Sequence, residues 1–147
     1  MRTKLLCSLL ALPLLAASAM AFAQSAGSPA GRWKTYDEDT NKPRLIVDIY
    51  QAKNGSYAAK VVETLFAPDA TCTSCTGANK GKPMKDMVIA WNLKPDGENK
   101  FSGGTVLKLA NGKTYKSKAE LVDGGKKFNI YGCVGFICKH QTWTREH

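Results

Sequence analysis

The sequence lacks most of the residue patterns on which enzyme catalysis usually depends. It contains two histidines, His140 and His147, and neither belongs to a His-Glu-x-x-His motif. No Gly-x-Ser-x-Gly nucleophile elbow and no phosphate-binding glycine loop is present. The acidic run from Asp37 to Asp39 has the composition of a solvated loop. We therefore expect a protein that is not an enzyme and that carries no cofactor.

Long apolar runs are also absent, since a membrane-spanning helix needs roughly 20 apolar residues. The longest run, Leu5 to Leu15, follows two basic residues and precedes an Ala21-Phe22-Ala23 cleavage site. This order is typical of a secretory signal peptide. We predict that residues 1–23 are removed and that residues 24–147 form one soluble domain. Its compartment would be the periplasm of a Gram-negative bacterium or the extracellular space.

Acidic residues are few relative to basic ones. The chain has 21 lysines and arginines against 12 aspartates and glutamates, for a net charge of +9. Loss of Arg2 and Lys4 with the signal peptide lowers that charge by two, to +7. The lysines are scattered, and no basic helix or arginine-rich run occurs, which argues against nucleic-acid binding. An anionic surface or an envelope protein is left as a candidate partner.

The predicted domain is dominated by short segments in which apolar and polar residues alternate. Turn sequences such as Asn54-Gly55, Pro95-Asp96-Gly97 and Asn111-Gly112 separate them. Such alternation buries one face of a β-strand. We count eight strands and no amphipathic helix, so the fold class is all-β. Consecutive hairpins favour an eight-stranded antiparallel up-and-down β-barrel, with a β-sandwich as the alternative.

Alternation places large side chains on the inner faces of the predicted strands. Trp91 is in phase with Ile89 and Leu93, and Phe101 is in phase with Leu107. An eight-stranded barrel either fills its interior with such side chains or keeps room for one small ligand. The set expected to line a ligand site is Tyr57, Trp91, Phe101, Tyr115, Phe128 and Ile130. This lining suits a small hydrophobic or amphipathic molecule.

Four cysteines follow the signal peptide, as Cys72-x-x-Cys75 and as Cys133 and Cys138. In the predicted barrel both pairs lie in loops at the same end, so all four would be near one rim. Four cysteines allow three disulfide connectivities. Export to an oxidising compartment favours disulfides. The alternatives are a zinc site of four thiolates and a redox Cys-x-x-Cys, although no helix is predicted here to activate a thiol.

Several segments together resemble a family of small secreted bacterial proteins, domain of unknown function 2147. The ending Gln141-x-Trp143-x-Arg145 is the most specific of them. The resemblance covers most of residues 24–147 and implies a small barrel similar to lipocalins and streptavidin, but it implies no activity. The other segments that carry it are Gly31-x-Trp33, the Cys72-x-x-Cys75 loop, residues 81–94 and residues 101–121.

The resemblance also bears on the cysteines. The Cys72-x-x-Cys75 motif is frequent in the family, whereas the family pattern commonly has tyrosine at the position of Cys133 and no counterpart of Cys138. A pair that recurs without the other bonds within itself. The resemblance therefore implies two disulfides, Cys72–Cys75 and Cys133–Cys138.

A second implication of the resemblance concerns closure of the barrel. In lipocalin-like barrels a Gly-x-Trp on the first strand often meets an arginine from the last strand. Carried over to this sequence, the Arg145 guanidinium stacks on the Trp33 indole, and Trp143 lies beside them as a further barrel-closing residue. An arginine that binds an anionic ligand is the alternative role for Arg145.

Three functions stay open at this point. The favoured one is binding of a small hydrophobic or amphipathic ligand inside the barrel, for which a cavity would be needed. The second is an envelope interaction or stress protein that acts through its rim loops or basic surface, for which a filled barrel with an exposed apolar patch would argue. The third is a redox or metal protein, for which reduced and exposed Cys72 and Cys75 would argue.

Overall fold

The computed structural model describes residues 27–147, and the predicted signal peptide lies outside these described residues. Eight antiparallel strands are hydrogen-bonded in sequence order, and the barrel closes because the first strand pairs with the last. This confirms the prediction of an up-and-down barrel over that of a sandwich. The strands are β1 Gly31–Tyr36, β2 Pro43–Gln51, β3 Tyr57–Thr64, β4 Val88–Pro95, β5 Lys100–Lys108, β6 Lys113–Val122, β7 Lys127–Val134 and β8 Ile137–Arg145.

In the described part of the chain, helical structure is limited to two short 3-10 turns, Gly77–Asn79 and Asp123–Gly125. Within residues 27–147 we find no helix with the length and apolar character needed to cross a membrane. The connections after the odd-numbered strands share one end of the barrel, which we call the rim. Those after β2, β4 and β6 share the other end, which we call the base. The rim loops are residues 37–42, 65–87, 109–112 and 135–136.

Aromatic side chains fill the half of the barrel nearest the base. Trp33 and Phe128 are fully buried, and their ring centroids are 5.6 Å apart. The ring of Phe101 lies 6.1 Å from that of Phe128 and 5.4 Å from that of Tyr57. Trp143 completes the cluster at 5.9 Å from Phe128. These separations are typical of stabilising offset and edge-to-face aromatic pairs.

Strand β5 changes phase at Gly103, whose φ is +69°. Phe101 is opposite Ala119, but beyond the register shift Gly104 is opposite Ser117. The inner face of β5 therefore continues through Gly104 and the residues in phase with it. The simple alternation that put Leu107 in phase with Phe101 is interrupted, because a glycine in the left-handed region makes a β-bulge here. Leu107 is nevertheless buried and belongs to the same core cluster as Phe101.

Strand β4 shows a similar change at Asn92, whose φ is +57°. Ala90 is opposite both Ala59 and Val106 and is fully buried. Trp91 is therefore on the other, outer face of the strand and is only partly buried. Leu93 then turns back into the core. The expectation that Trp91 and Leu93 share a face does not hold, because asparagine tolerates the left-handed conformation that interrupts the alternation.

Candidate ligand-binding cavity

Above the aromatic cluster the barrel is not filled, and a cavity of about 1050 Å³ opens to solvent at the rim. Its apolar floor is formed by Leu45, Ile130 and Trp143, and Thr35 and Tyr115 add hydroxyl groups to its wall. Ligand sites in proteins typically measure about 300–1,000 Å³ and combine an apolar lining with a few polar groups. The cavity therefore has the volume and lining expected of a binding site for one small molecule.

A short chain of hydrogen bonds fixes the polar group at the floor of the cavity. The Trp143 indole donates from Nε1 to Oε1 of Gln141 over 2.7 Å. The Gln141 amide in turn donates from Nε2 to the carbonyl oxygen of Tyr36 over 2.9 Å. Gln141, Trp143 and Arg145 are alternate residues of β8. Gln141 belongs to the cavity wall, Trp143 to its floor and Arg145 to the base of the barrel.

Gly132 of β7 leaves part of the cavity wall without a side chain. A Cβ atom added there would lie 3.5 Å from Cβ of Tyr115 and 3.6 Å from Cγ1 of Val106. These are ordinary van der Waals distances, so a side chain at this position would extend into the cavity without overlapping its neighbours at Cβ. The position offers a means of filling the cavity by substitution.

An ion pair spans the mouth of the cavity. Lys108 at the end of β5 places its Nζ 2.7 Å from Oε2 of Glu38, which belongs to the loop between β1 and β2. Strands β1 and β5 lie on opposite sides of an eight-stranded barrel, so the contact crosses the opening. Both side chains are well exposed, and exposed pairs of this kind contribute only about 0–1 kcal/mol to stability. The pair therefore restricts the mouth without locking it.

The acidic loop at the mouth is ordered by Asp37. Its carboxylate accepts hydrogen bonds from the backbone N–H groups of Asp39 and Thr40 and from the Thr40 hydroxyl, at 2.9 to 3.1 Å. The Arg44 guanidinium lies 3.3 Å from its second oxygen. The Thr40 hydrogen bonds are the main reason that the pKa of Asp37 is lowered from its ordinary value. The run 37–39 is thus a folded turn beside the mouth.

Arg145 closes the base of the barrel and lies away from the cavity. Its guanidinium carbon is 4.3 Å from the centroid of the Trp33 ring, which its register opposite Trp33 makes possible. It donates to the carbonyl oxygens of Gly125, Ala30 and Ser28 over 2.8 to 3.0 Å. Burial lowers the pKa of Arg145 from its ordinary value. Because its donors face base carbonyls, this arginine is not placed to hold a ligand in the cavity.

The six residues expected to line a ligand site occupy three different places. Tyr115 and Ile130 line the cavity. Tyr57, Phe101 and Phe128 belong to the aromatic cluster below it, and Trp91 is on the outer face of β4. Sequence reasoning missed several lining residues. The Gln141-x-Trp143 spacing could have revealed two of them, because Trp143 was expected inside and Gln141 alternates with it. Further lining residues that it missed include Thr35, Leu45, Gly132 and Lys139.

The cysteines form two pairs at disulfide distance, Cys72–Cys75 and Cys133–Cys138. Cys72 and Cys75 are buried in the core, and Cys72 Sγ lies 3.9 Å from the carbonyl oxygen of Leu109. Their loop packs so tightly on the turn between β5 and β6 that a side chain at Gly112 would overlap its backbone. Cys133 and Cys138 instead face each other near the tip of the β7–β8 hairpin.

Clusters of metal-binding side chains do not stand out in the part of the chain that the structure describes. No group of three or more histidine, cysteine, aspartate or glutamate residues is close enough to hold a metal ion among residues 27–147. Cys72 and Cys75 are paired and buried, so the Cys72-x-x-Cys75 motif presents no exposed sulfur atom to a reacting partner.

Comparison with known proteins places the chain in a family. Residues 31–145, from the first residue of β1 to the last of β8, match the family described as "Uncharacterized protein conserved in bacteria (DUF2147)". The chain belongs to this family. This confirms the resemblance inferred from its motifs. Among curated proteins, no match is found.

A solved structure supports the architecture of this DUF2147 member. The chain is similar to "Protein HP1028 from the human pathogen Helicobacter pylori", which is described as belonging to the lipocalin family. The TM-score is 0.71 at 18% sequence identity, and the similarity covers 82% of this chain and 84% of that one. At this identity the likeness concerns the fold alone, and it establishes a lipocalin-like barrel.

Proposed function

We propose that this protein binds one small amphipathic molecule in the rim cavity, outside the cytoplasm, and that it catalyses no reaction. The observation that carries the proposal is the division of the barrel interior. An aromatic cluster seals the base, whereas about 1050 Å³ above it is open to solvent. Eight-stranded barrels with such a space hold one small ligand.

The lining indicates the chemistry of that molecule. An apolar body would rest on Leu45, Ile130 and the Trp143 ring. A polar group could hydrogen-bond to Tyr115, whose hydroxyl accepts from Asn111 Nδ2 over 2.8 Å and so keeps its own proton to donate. Lys139 is exposed at the mouth and can pair with an anionic head group. A fatty carboxylate or a similar anionic amphiphile fits this arrangement.

Two features of the chain support a location outside the cytoplasm. The predicted signal peptide at residues 1–23 directs export, and the two cysteine pairs suit an oxidising environment. We infer that the protein acts in the periplasm. Thiol titration of protein purified without reductant should then detect no free cysteine in the processed chain, and four free thiols would contradict this assignment.

The ligand proposal can be tested with a fluorescent anionic amphiphile, 1-anilinonaphthalene-8-sulfonate, displaced by dodecanoate. Gly132→Phe places a ring in the cavity and should weaken dodecanoate binding roughly 10-fold or more, which corresponds to about 1.4 kcal/mol of lost burial. Lys94→Phe adds the same ring at an exposed position of β4 and is the matched control. Equal binding by both variants, or none by the unaltered protein, would contradict the proposal.

A further inference from the structure

The hairpin between β7 and β8 ends in an exposed apolar tip, residues 134–137. Phe136 is 97% exposed, and Val134 and Ile137 are 68% and 65% exposed. Elsewhere large apolar side chains of this barrel are mostly buried or only about 40% exposed, as Tyr50 and Phe66 are. A contiguous group of this kind on a protein surface usually marks an interaction site.

The apolar tip has a fixed shape before it contacts anything. Cys133 and Cys138 are paired directly below it, and the β7–β8 ladder continues to the pair Val134–Ile137. Gly135 has a φ of +59° at the first central position of the two-residue turn, as a type II′ turn requires. Because the turn holds Phe136 at its apex, binding through the tip would cost little conformational entropy.

Basic side chains follow immediately behind the apolar tip. Lys116 is opposite Cys133 on β6, and Lys139 is opposite Gly132 on β8. Lys118 places its Nζ 5.3 Å from the ring of Tyr131, which also contacts His140. Moving away from the tip along β6, β7 and β8, the first acidic residue is Glu120. The tip is therefore apolar at its apex and cationic one to three residues below.

The nearest acidic groups on the rim do not cancel this pattern. In the loop between β1 and β2, Asp37 is paired with Arg44 and Glu38 with Lys108. Two of the three acidic side chains of that loop are thus matched by cations of their own. The lysines behind the tip are left to interact with an external anion.

We propose that the apolar tip inserts into an anionic phospholipid surface, with Phe136 among the acyl chains and Lys116, Lys118 and Lys139 at the phosphates. A membrane presents an apolar interior behind an anionic layer, which is the order of apolar apex and cationic flank found along this hairpin. A projecting tip with side chains on both faces suits a deformable lipid layer better than a flat protein surface. The shape and the charge therefore favour lipid as the occupant.

Insertion at this position would also orient the cavity. Val134 and Ile137 belong both to the tip and to the lining of the cavity mouth. A membrane-bound molecule would thus present its mouth to the lipid surface. The membrane proposal does not depend on ligand binding, because the apolar tip with Lys116 and Lys118, which do not line the cavity, is sufficient to carry it.

Sedimentation with lipid vesicles tests the proposal. The purified protein should bind vesicles of phosphatidylglycerol and phosphatidylethanolamine and bind vesicles of phosphatidylcholine alone much more weakly. Phe136→Ser should reduce binding to the anionic vesicles by roughly 10-fold or more, since one buried phenyl ring is lost. Tyr50→Ser, which removes a part-exposed aromatic ring at the base end, is the matched control and should bind normally.

The cationic flank and the depth of insertion have their own measurements. Lys116→Gln and Lys118→Gln should each weaken binding to anionic vesicles roughly five-fold, because one basic group near such a surface contributes about 1 kcal/mol. Phe136→Trp should be quenched by phospholipids brominated on their acyl chains. Failure of the unaltered protein to bind anionic vesicles, normal binding by Phe136→Ser, or an unquenched Phe136→Trp would overturn the proposal.

Discussion

At the base of the barrel Trp33 and Phe128 pack ring against ring under Arg145, whereas at the rim the same strands surround an open cavity. The difference lies in the size of successive inward side chains. On β7 the inward residues from base to rim are Phe128, Ile130 and Gly132, and on β1 Trp33 is followed by Thr35. On these two strands the inward side chains become smaller toward the rim, which leaves space there above the packed base.

The two ends of the barrel thus differ in packing, and we expect them to differ in role. Close packing at the base supplies stability, because buried aromatic rings contribute most to a core. The rim is less closely packed and carries the groups that are accessible to a partner. They are the cavity lining, the ion pair at the mouth and the apolar hairpin tip. Substitutions should therefore change stability when made at the base and binding when made at the rim.

The largest expected effect is loss of a ring at the base. Phe128→Ala removes a fully buried phenyl group and should lower the free energy of unfolding by about 3–5 kcal/mol, measured by urea denaturation. The same change at the rim, Phe136→Ala, removes an exposed ring and should change that free energy by less than about 0.5 kcal/mol. Similar losses for the two variants would abolish the proposed contrast between the ends.

Removing the Arg145 side chain, which closes the base, should have the next largest effect on the free energy of unfolding. Arg145→Ala loses the contact with Trp33 and leaves three backbone carbonyls without their donor, at a cost of about 2–4 kcal/mol. Arg145→Lys keeps the charge but not the forked donors and should recover only part of the loss. Arg32→Ala, which breaks an exposed pair with Asp48, serves as the control and should cost at most about 1 kcal/mol.

The two disulfides near the rim differ in burial and should therefore differ in how fast they are reduced. Dithiothreitol under native conditions should reduce Cys133–Cys138 first, because that pair is partly exposed near the hairpin tip. The buried Cys72–Cys75 pair should resist until the protein unfolds. Alkylation followed by mass spectrometry of peptides reports the order. Reduction of both pairs at one rate would contradict the difference in burial.

The smallest expected effect is a pH dependence of the loop at the mouth. The pKa of Asp37 is lowered in the folded state, chiefly by hydrogen bonds from Thr40. Its contribution to stability is therefore fully present above its pKa in the unfolded chain and is lost as the pH falls through the lowered folded value. Asp37→Asn should flatten the curve of unfolding free energy below about pH 5.

Asp39→Asn is the control for this pH effect, because it removes the same charge from the same loop without taking away the acceptor of the Thr40 hydrogen bonds. It should leave the acid limb of the curve in place. An unchanged acid limb in Asp37→Asn would show that the hydrogen-bonded carboxylate does not order the loop.

The number and order of the strands could be predicted, because alternation and turn residues such as Asn54-Gly55 and Asn111-Gly112 are local features. The phase of β4 and β5 could not. That phase depends on Asn92 and Gly103, which adopt positive φ angles and interrupt the alternation. An asparagine or a glycine in a strand can adopt this conformation but does not have to, so the sequence does not reveal it. Trp91 was consequently placed on the inner face although it lies outside.

The cavity was harder to predict than the fold. Alternation predicts whether a side chain faces inward, but not how far it lies from the base or the rim. Tyr115 and Phe128 were therefore both expected to line a ligand site, although Tyr115 lines the cavity and Phe128 fills the base. The burial of Cys72 and Cys75 also depends on a long-range contact, the packing of their loop on the turn at Gly112. No local pattern in the sequence encodes that contact.

Titration of the isotopically labelled protein with dodecanoate, followed by amide chemical shifts in NMR spectra, tests the division of the barrel most directly. We predict that the resonances of Thr35, Ile130 and Gln141 at the cavity shift in a saturable manner. Those of Trp33 and Phe101 in the aromatic cluster should stay in place. Shifts centred on the cluster, or no saturable shift in the cavity, would contradict a sealed base beneath an open binding site.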